Sequence, residues 1–280
     1  VDVFRPSPIN WHVGIMQDHL STELGQKYVL TFWAKSDAAR RIEVSLIQAH
    51  DPWQRTGVVR NDGIWLLDAI DYVTMHHYSP QIDEDIPDRF RQYSQMDKPI
   101  VVQEFGVWFD PFKNEEIGKI AYYNSIWRLA MMGSSGAPMK FTRVVMDKEY
   151  AALASFLGDM DAAKNRIRQI DFTDLTPAVE GGVSPVEILG LSDGQRTYLW
   201  IHDRQHTYRN VHDHQYRPIE MANVKLTLNR MDGMIFRIEY WDTRKGVMEG
   251  SHMVKVENNS LILSVPPFTR DIGIKLVRLK

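Results

Sequence analysis

Lys98-Pro99-Ile100-Val101-Val102-Gln103-Glu104-Phe105-Gly106 is the stretch on which the fold turns. A short unbroken apolar run is what a strand buried on both faces looks like, and such strands belong to parallel sheets covered by helices. The run ends on a carboxylate, at the strand end where α/β folds place their ligands. Gly106 lets the backbone turn away at once. Upstream, Ile70-Asp71-Tyr72-Val73-Thr74-Met75 reads as a second strand that runs into His76-His77-Tyr78-Ser79-Pro80. Between the two, Ile86, Phe90, Tyr93 and Met96 carry helical spacing over 84–97. Downstream, Asn114 stands as the N-cap of a predicted helix over 115–132, with Glu115 and Glu116 in its first turn and Gly133 past its end. A further helix is predicted over 148–157, closed by Gly158. Strand, helix, strand, helix at this spacing predicts βα units and a parallel sheet or barrel.

The flanks read differently. Residues 11–16, 28–34 and 41–47 predict three strands, with Ile42, Val44 and Leu46 on one face of the last. Beyond 183, five strands are expected at 197–201, 224–228, 235–241, 261–265 and 271–279, with Asp193-Gly194 and Asp232-Gly233 as hairpin turns. Together they suggest a β-sandwich of about 100 residues. Pro177, Gly181 and Gly182 mark 171–182 as a linker. The expected organisation is thus α/β plus β. A β-rich segment spans 1–58, a (β/α)-barrel-type segment spans 59–172, and an antiparallel sandwich spans 183–280.

Composition narrows the function. The chain of 280 residues has 33 Lys and Arg against 36 Asp and Glu, so no broad positive field draws nucleic acid or anionic lipid. No apolar run is long enough to span a membrane. The absence of cysteine excludes disulfides, iron–sulfur clusters and Cys-ligated zinc. Position 1 is Val and no signal peptide is evident, so the sequence is expected to be processed, truncated or numbered from an internal point. Eight Trp, 11 Tyr and 11 Phe supply flat rings of the kind that stack on sugars, and equally a well-filled core. His202, His206, His212 and His214, with Asp203 and Asp213, are donors of the sort that bind zinc or nickel. Lying between predicted strands, the cluster reads better as a polar loop, and no metal or other cofactor is expected.

The order Asp71-Tyr72-Val73 with His76 and Tyr78, then Lys98-Pro99-Ile100-Val101-Val102 with Glu104-Phe105-Gly106, resembles the sixth and seventh strands of clan-A glycoside hydrolases, especially family 5 cellulase-like enzymes. Residues 124–139 resemble their last helix and eighth strand. The tail, with Tyr198 to Asp203, Tyr240 to Thr243 and Arg270 to Leu276, is similar to the sandwich that follows such barrels in bacterial multidomain enzymes. Residues 11–37 and Asp51-Pro52-Trp53 look like the first part of a family 4/9-type carbohydrate-binding jelly roll.

The resemblance implies a retaining glycosidase on a β-linked glucan or mannan, secreted or periplasmic, with an oligosaccharide or polysaccharide as its partner. Glu104 would be the nucleophile. His76, His77 and Tyr78 would orient it or touch substrate, and Trp108 and Phe141 would form part of the sugar platform. A barrel and a sandwich together take about 350 residues, so the barrel is expected to be incomplete. The family's Asn-Glu acid/base is matched in sequence only by Asn114-Glu115, which fits a helix cap better. Asp83, Glu84 and Asp110 are the alternative acids. The competing readings are a non-catalytic carbohydrate-binding protein and a scaffold without a ligand.

Overall fold

The computed structural model describes residues 44–47, 55–59, 71–107, 115–135, 137–140, 145–160, 168–230, 234–257 and 259–279. The chain divides into two compact units, Val1–Leu66 and Leu67–Lys280.

In the first unit, β1 (Val44–Ile47) and β2 (Arg55–Val59) pair antiparallel, with Leu46 opposite Thr56. β1 falls within the strand expected at 41–47. The strands expected at 11–16 and 28–34, and the jelly-roll likeness with them, lie outside the described residues.

The second unit opens with two βα units. β3 (Val73–Tyr78) leads through α1 (Ile82–Ser94) to β4 (Ile100–Gly106), and the two strands pair in parallel. α2 (Glu115–Met131) follows. The chain then returns beside β4: Ser135 N–H donates to Ile100 O at 2.7 Å, Met139 N–H to Val102 O at 3.1 Å, and Phe105 N–H to Met139 O at 3.0 Å. A parallel bridge joins Phe105 to Lys140. These bonds set a third segment alongside the parallel pair β3 and β4. The strand expected at 70–75 begins three residues later and takes in His76, His77 and Tyr78.

α2 ends as its sequence predicts. Gly133 adopts φ 92°, its N–H donates to Ala130 O, and Ser134 N–H donates to Leu129 O. This is the Schellman closure, which requires a left-handed residue after the cap. Residues 121–132 are buried on every side of the helix, including Tyr122, Tyr123, Ile126, Trp127 and Leu129. A helix without a wet face must be covered twice. α1 covers one side, and the sandwich covers the other.

The sandwich follows α3 (Asp147–Leu157) and begins earlier than the sequence suggests. β5 (Arg168–Gln169) and β6 (Phe172–Asp174) precede β7 (Val186–Ser192) and β8 (Arg196–Asp203), which form a hairpin turned at Asp193-Gly194. The short helix α4 (Tyr208–Asp213), β9 (Glu220–Met221), β10 (Lys225–Asn229), β11 (Ile235–Asp242), β12 (Val247–Lys255), β13 (Ser260–Ser264), β14 (Phe268–Thr269) and β15 (Asp271–Arg278) complete it. One sheet has the order β12-β11-β15-β8-β7-β5, the facing one β13-β10-β6. Leu199, Ile201, Leu226, Leu228, Ile274 and Leu276 are among the side chains that fill the space between them. β6 pairs with β10 and β5 with β7, so part of the expected linker at 171–182, and residues before it, belong to the sheets. The Asp232-Gly233 turn lies outside the described residues. Contacts group the sandwich with the βα units, where the sequence reading draws a boundary at 172–183.

The joint is aromatic at its centre. Tyr198, Trp200 and His202 alternate with Leu199 and Ile201 along β8 and turn to the helices. Trp200 stacks on Trp127 with ring centroids 6.0 Å apart, and Trp127 lies 5.5 Å from Phe156. Phe156 in turn meets Tyr198 and Trp241 edge-on. Lys275, buried on β15, lies over the Trp241 ring at 4.4 Å and donates to Asp159 Oδ1 at 2.8 Å. Gly246, at φ 65°, lets the β11–β12 turn approach α3, where a Cβ would sit 2.5 Å from Ala152 Cα.

A polar seam surrounds these rings. Pro87 sits inside α1 and has no N–H to give Asp83 O, the carbonyl four residues earlier. Arg128 of α2 donates to that carbonyl instead, and to Glu187 Oε2 of β7 at 2.7 Å. The buried Asp83 carboxylate accepts from Asn124 Nδ2 and from Tyr208 N–H, both at 3.0 Å. Asn124 also donates to His206 O at 2.8 Å. Asp271 accepts from Tyr123 OH and from Trp200 Nε1. Burial raises the Asp271 pKa, against the hydrogen bonds from Tyr123 and Trp200 and the charge of Arg244.

Two measurements test the joint. Trp127→Ala removes the ring on which Trp200 and Phe156 pack, and should cost about 3–5 kcal/mol in urea unfolding. Loss of a single cooperative transition is the expected sign that the α/β part and the sandwich have separated. The second test is pH. Burial, with Arg270, Arg244 and Arg128 nearby, lowers the His206 pKa from 6.5 to about 4. The unfolded chain therefore binds the extra proton first. His206 costs nothing above pH 6.5, and its penalty grows as pH falls towards 4, reaching at most about 3 kcal/mol. His206→Gln keeps the backbone carbonyl that holds Asn124, and should flatten the stability slope across that window relative to the native chain.

Candidate active site

The register of β3 against β4 changes at the site. Met75 stands opposite Val102, but the next residue, His76, stands opposite Glu104. β4 thus carries one extra residue, Gln103. A bulge of this kind re-aims side chains and is frequent beside active sites. Strict alternation from the buried Ile100 and Val102 would bury Glu104. The extra residue hands the buried position to Phe105, whose ring meets Tyr122 of α2 at 5.9 Å. Glu104 turns instead to the face of His76. Its Oε2 lies 3.7 Å from His76 Nδ1, with the side chains 29% and 38% exposed. His76 Nε2 lies 3.2 Å from Gln103 Oε1.

The strand ends are tied down behind these groups. Ser79 N–H donates to Gly106 O at 3.2 Å, and Val107 N–H donates to the Tyr122 hydroxyl at 3.3 Å. Tyr78 is half-buried opposite Gly106, and His77 is half-buried opposite Phe105, one residue on from the His76–Glu104 pair. Of the six site residues read from the sequence, His76, His77, Tyr78 and Glu104 therefore share the C-terminal ends of two adjacent parallel strands. Trp108 and Phe141 lie outside the described residues. An exposed His–Glu pair is worth little in stability. What it supplies is orientation: a carboxylate held at a strand end with a proton donor or cation beside it can act as nucleophile, base or hydrogen-bond acceptor.

The structure also places two other groups of residues named from the sequence. Asp83 and Glu84 stand in the first turn of α1, engaged with other elements: Asp83 with α2 and α4, and Glu84 accepting from Thr207 Oγ1 at 2.9 Å. Asp110 lies outside the described residues. The histidine cluster is not a polar loop. His202 is buried in β8 and stacked on Trp200 at 4.7 Å, and His206 is buried beside it. Their buried setting escapes a reading that takes histidines between strands as solvated. Only His212 and His214, on and after α4, are exposed. Among the described residues no group of three or more His, Asp or Glu could hold a metal ion, and no helix is long and apolar enough to cross a membrane. A polar cleft of about 490 Å³ is lined in part by Glu84, Asp88, Arg91, Arg204, Arg209 and Asn210, and Glu104 is not part of its lining.

No protein-family model and no curated protein matches the chain. Solved structures do. A GH30 endoxylanase from Clostridium papyrosolvens C71 is similar over 76% of this chain and 52% of its own, at 13% identity and a TM-score of 0.42. A glycoside hydrolase family 5 protein from Bacteroides vulgatus ATCC 8482 is similar over 77% and 53%, at 8% identity and a TM-score of 0.47. The GH39 enzyme from Xanthomonas axonopodis pv. citri matches over 75% and 55%, at 13% identity and a TM-score of 0.39. The chain spans about half the length of each of these proteins. With TM-scores below 0.5, the likenesses define neither a substrate nor a reaction for this chain.

The bulge gives a direct test of the site's geometry. Inserting an alanine between Met75 and His76 gives Gln103 a partner on β3, so strict alternation runs on from Val102 and drives Glu104 towards the face that Phe105 fills. Burying that carboxylate without a partner should cost about 3 kcal/mol or more. Thermal or urea unfolding of the insertion variant measures it, and Gln103→Ala, which leaves both strands' lengths unchanged, should lie close to the native chain.

Proposed function

We propose that this chain is a glycoside hydrolase that cleaves a β-linked glucan or mannan by double displacement, with Glu104 as the nucleophile. The observation that carries the reading is the position of Glu104. It stands at the C-terminal end of a parallel strand, and the bulge turns it out of the buried face to lie 3.7 Å from His76 Nδ1. The sequence resemblance of 71–78 and 98–106 to the sixth and seventh strands of clan-A enzymes supports it independently.

In this reading a Glu104 oxygen attacks the anomeric carbon as the bond to the leaving oxygen breaks, and an acid gives that oxygen its proton. Water then hydrolyses the glycosyl ester and returns Glu104 as a carboxylate. His76 holds the carboxylate in place, and Tyr78, Trp108 and Phe141 line the sugar's path. The acid is a second carboxyl group about 5 Å from the first, drawn from the three acids named from the sequence, Asp83, Glu84 and Asp110.

Reducing-sugar release from glucan and mannan tests the proposal. Glu104→Gln keeps the side chain's shape but cannot form the ester, so turnover should fall by several orders of magnitude while oligosaccharide binding by calorimetry stays nearly unchanged. Activity retained in that variant would remove Glu104 from the mechanism. Binding without turnover in the native chain would assign it instead to non-catalytic glycan recognition.

A further inference from the structure

The bulge residue has a side chain as well as a backbone. Gln103 extends from the strand immediately before Glu104, and its amide oxygen lies 3.2 Å from His76 Nε2. The other ring nitrogen, Nδ1, lies 3.7 Å from Glu104 Oε2. One imidazole is thus engaged on both nitrogens by two consecutive residues of the neighbouring strand.

We propose that Gln103 is a positioning residue: its amide holds the His76 ring by Nε2, so that Nδ1 stays turned to the Glu104 carboxylate. The two ring nitrogens are chemically distinct, and what one meets decides what the other carries. A neutral ring facing a carboxylate through Nδ1 needs its proton there, because a bare Nδ1 would set a lone pair against an anion. Nε2 is then an acceptor and requires an N–H partner. A ring with both protons donates from Nε2 and requires an oxygen, which is the arrangement in the structure, with Gln103 Oε1 facing Nε2. A glutamine amide meets both demands by a half-turn about its last bond, its oxygen and NH₂ exchanging places. Leucine at 103 meets neither demand, and glutamate meets only the second. Gln103 therefore keeps the ring aimed through a change of proton count, which a residue beside a reacting carboxylate must survive. The inference rests on the reading of Glu104 as the reacting group, but its test needs no substrate.

The experiment is nitrogen-15 NMR of the histidine rings in the full chain, with His76 assigned through His76→Gln. At a pH where the ring is neutral, the native chain should carry the His76 proton mainly on Nδ1. In Gln103→Leu and in Gln103→Glu the ratio of Nδ1–H to Nε2–H should fall about five-fold, the weight of one net hydrogen bond. A native ring protonated mainly on Nε2, or a ratio unchanged in Gln103→Leu, overturns the proposal. The similar size of Gln103→Glu guards against a packing artefact in the leucine variant. Kinetics separate the two readings. If the native chain hydrolyses glycan, both variants should lower kcat more than they raise KM. A tautomer shift in a native chain that hydrolyses nothing supports the role of Gln103 and removes the hydrolase assignment alone.

Discussion

A helix whose last three turns have no wet face is the constraint from which the second unit is built. Residues 121–131 of α2 are apolar or internally bonded all round, so this part of α2 is stable only between two layers. α1 and the parallel strands form one layer, and the outer face of the six-stranded sheet forms the other. The polar groups caught between them are joined in pairs across the seam. Pro87 leaves a carbonyl open and Arg128 closes it; the same guanidinium reaches Glu187 on the sheet. Removing one partner of such a set leaves a buried charge or acceptor unanswered, so the seam tolerates change poorly. It also fixes the parallel strands, because Tyr122 on the same helix anchors both Phe105 and the backbone of Val107.

The candidate site depends on that anchoring at one remove. Counted from the buried Ile100 and Val102, position 104 belongs to the face against α2, and the bulge at Gln103 moves it to the other. The bulge, the Phe105 contact and the exposure of Glu104 are three consequences of a single extra residue. His76 gains its place from the other strand without any irregularity of its own.

Much of this was legible in the residues. The run Ile100 to Val102 announces a doubly covered strand, and Asn114 with Gly133 brackets α2 to within a residue or two. The Glu104–His76 neighbourhood follows from two strand ends read side by side. The bulge does not, since an inserted polar residue after an apolar run leaves no alternation to violate. β12 was missed because nearly all its residues are exposed at a sheet edge, so no burial pattern marks it. β5 and β6 were hidden in a stretch whose Pro177, Gly181 and Gly182 dominate the local reading. The docking of the sandwich had a faint signal: Tyr198, Trp200 and His202 alternate with Leu199 and Ile201, so β8 carries bulky side chains on both faces and must be covered on both. His202 and His206 were taken for surface groups because histidine's composition is silent about burial.

The strand order has a consequence for how the molecule comes into being. β15 lies between β11 and β8 in the middle of the larger sheet, and it carries Asp271 and Lys275, which hold α2 and α3 through Tyr123 and Asp159. The βα units and the β7–β8 hairpin leave the ribosome long before it. Until residues 271–278 emerge, the sheet is split, β8 and β11 each expose an unpaired edge, and the aromatic face of β8 has only part of its final support. Pairings across such sequence distances are slow to form, and open edges of this kind are where nascent chains associate wrongly. The unit's larger sheet is therefore joined only when β15 pairs with strands made well before it.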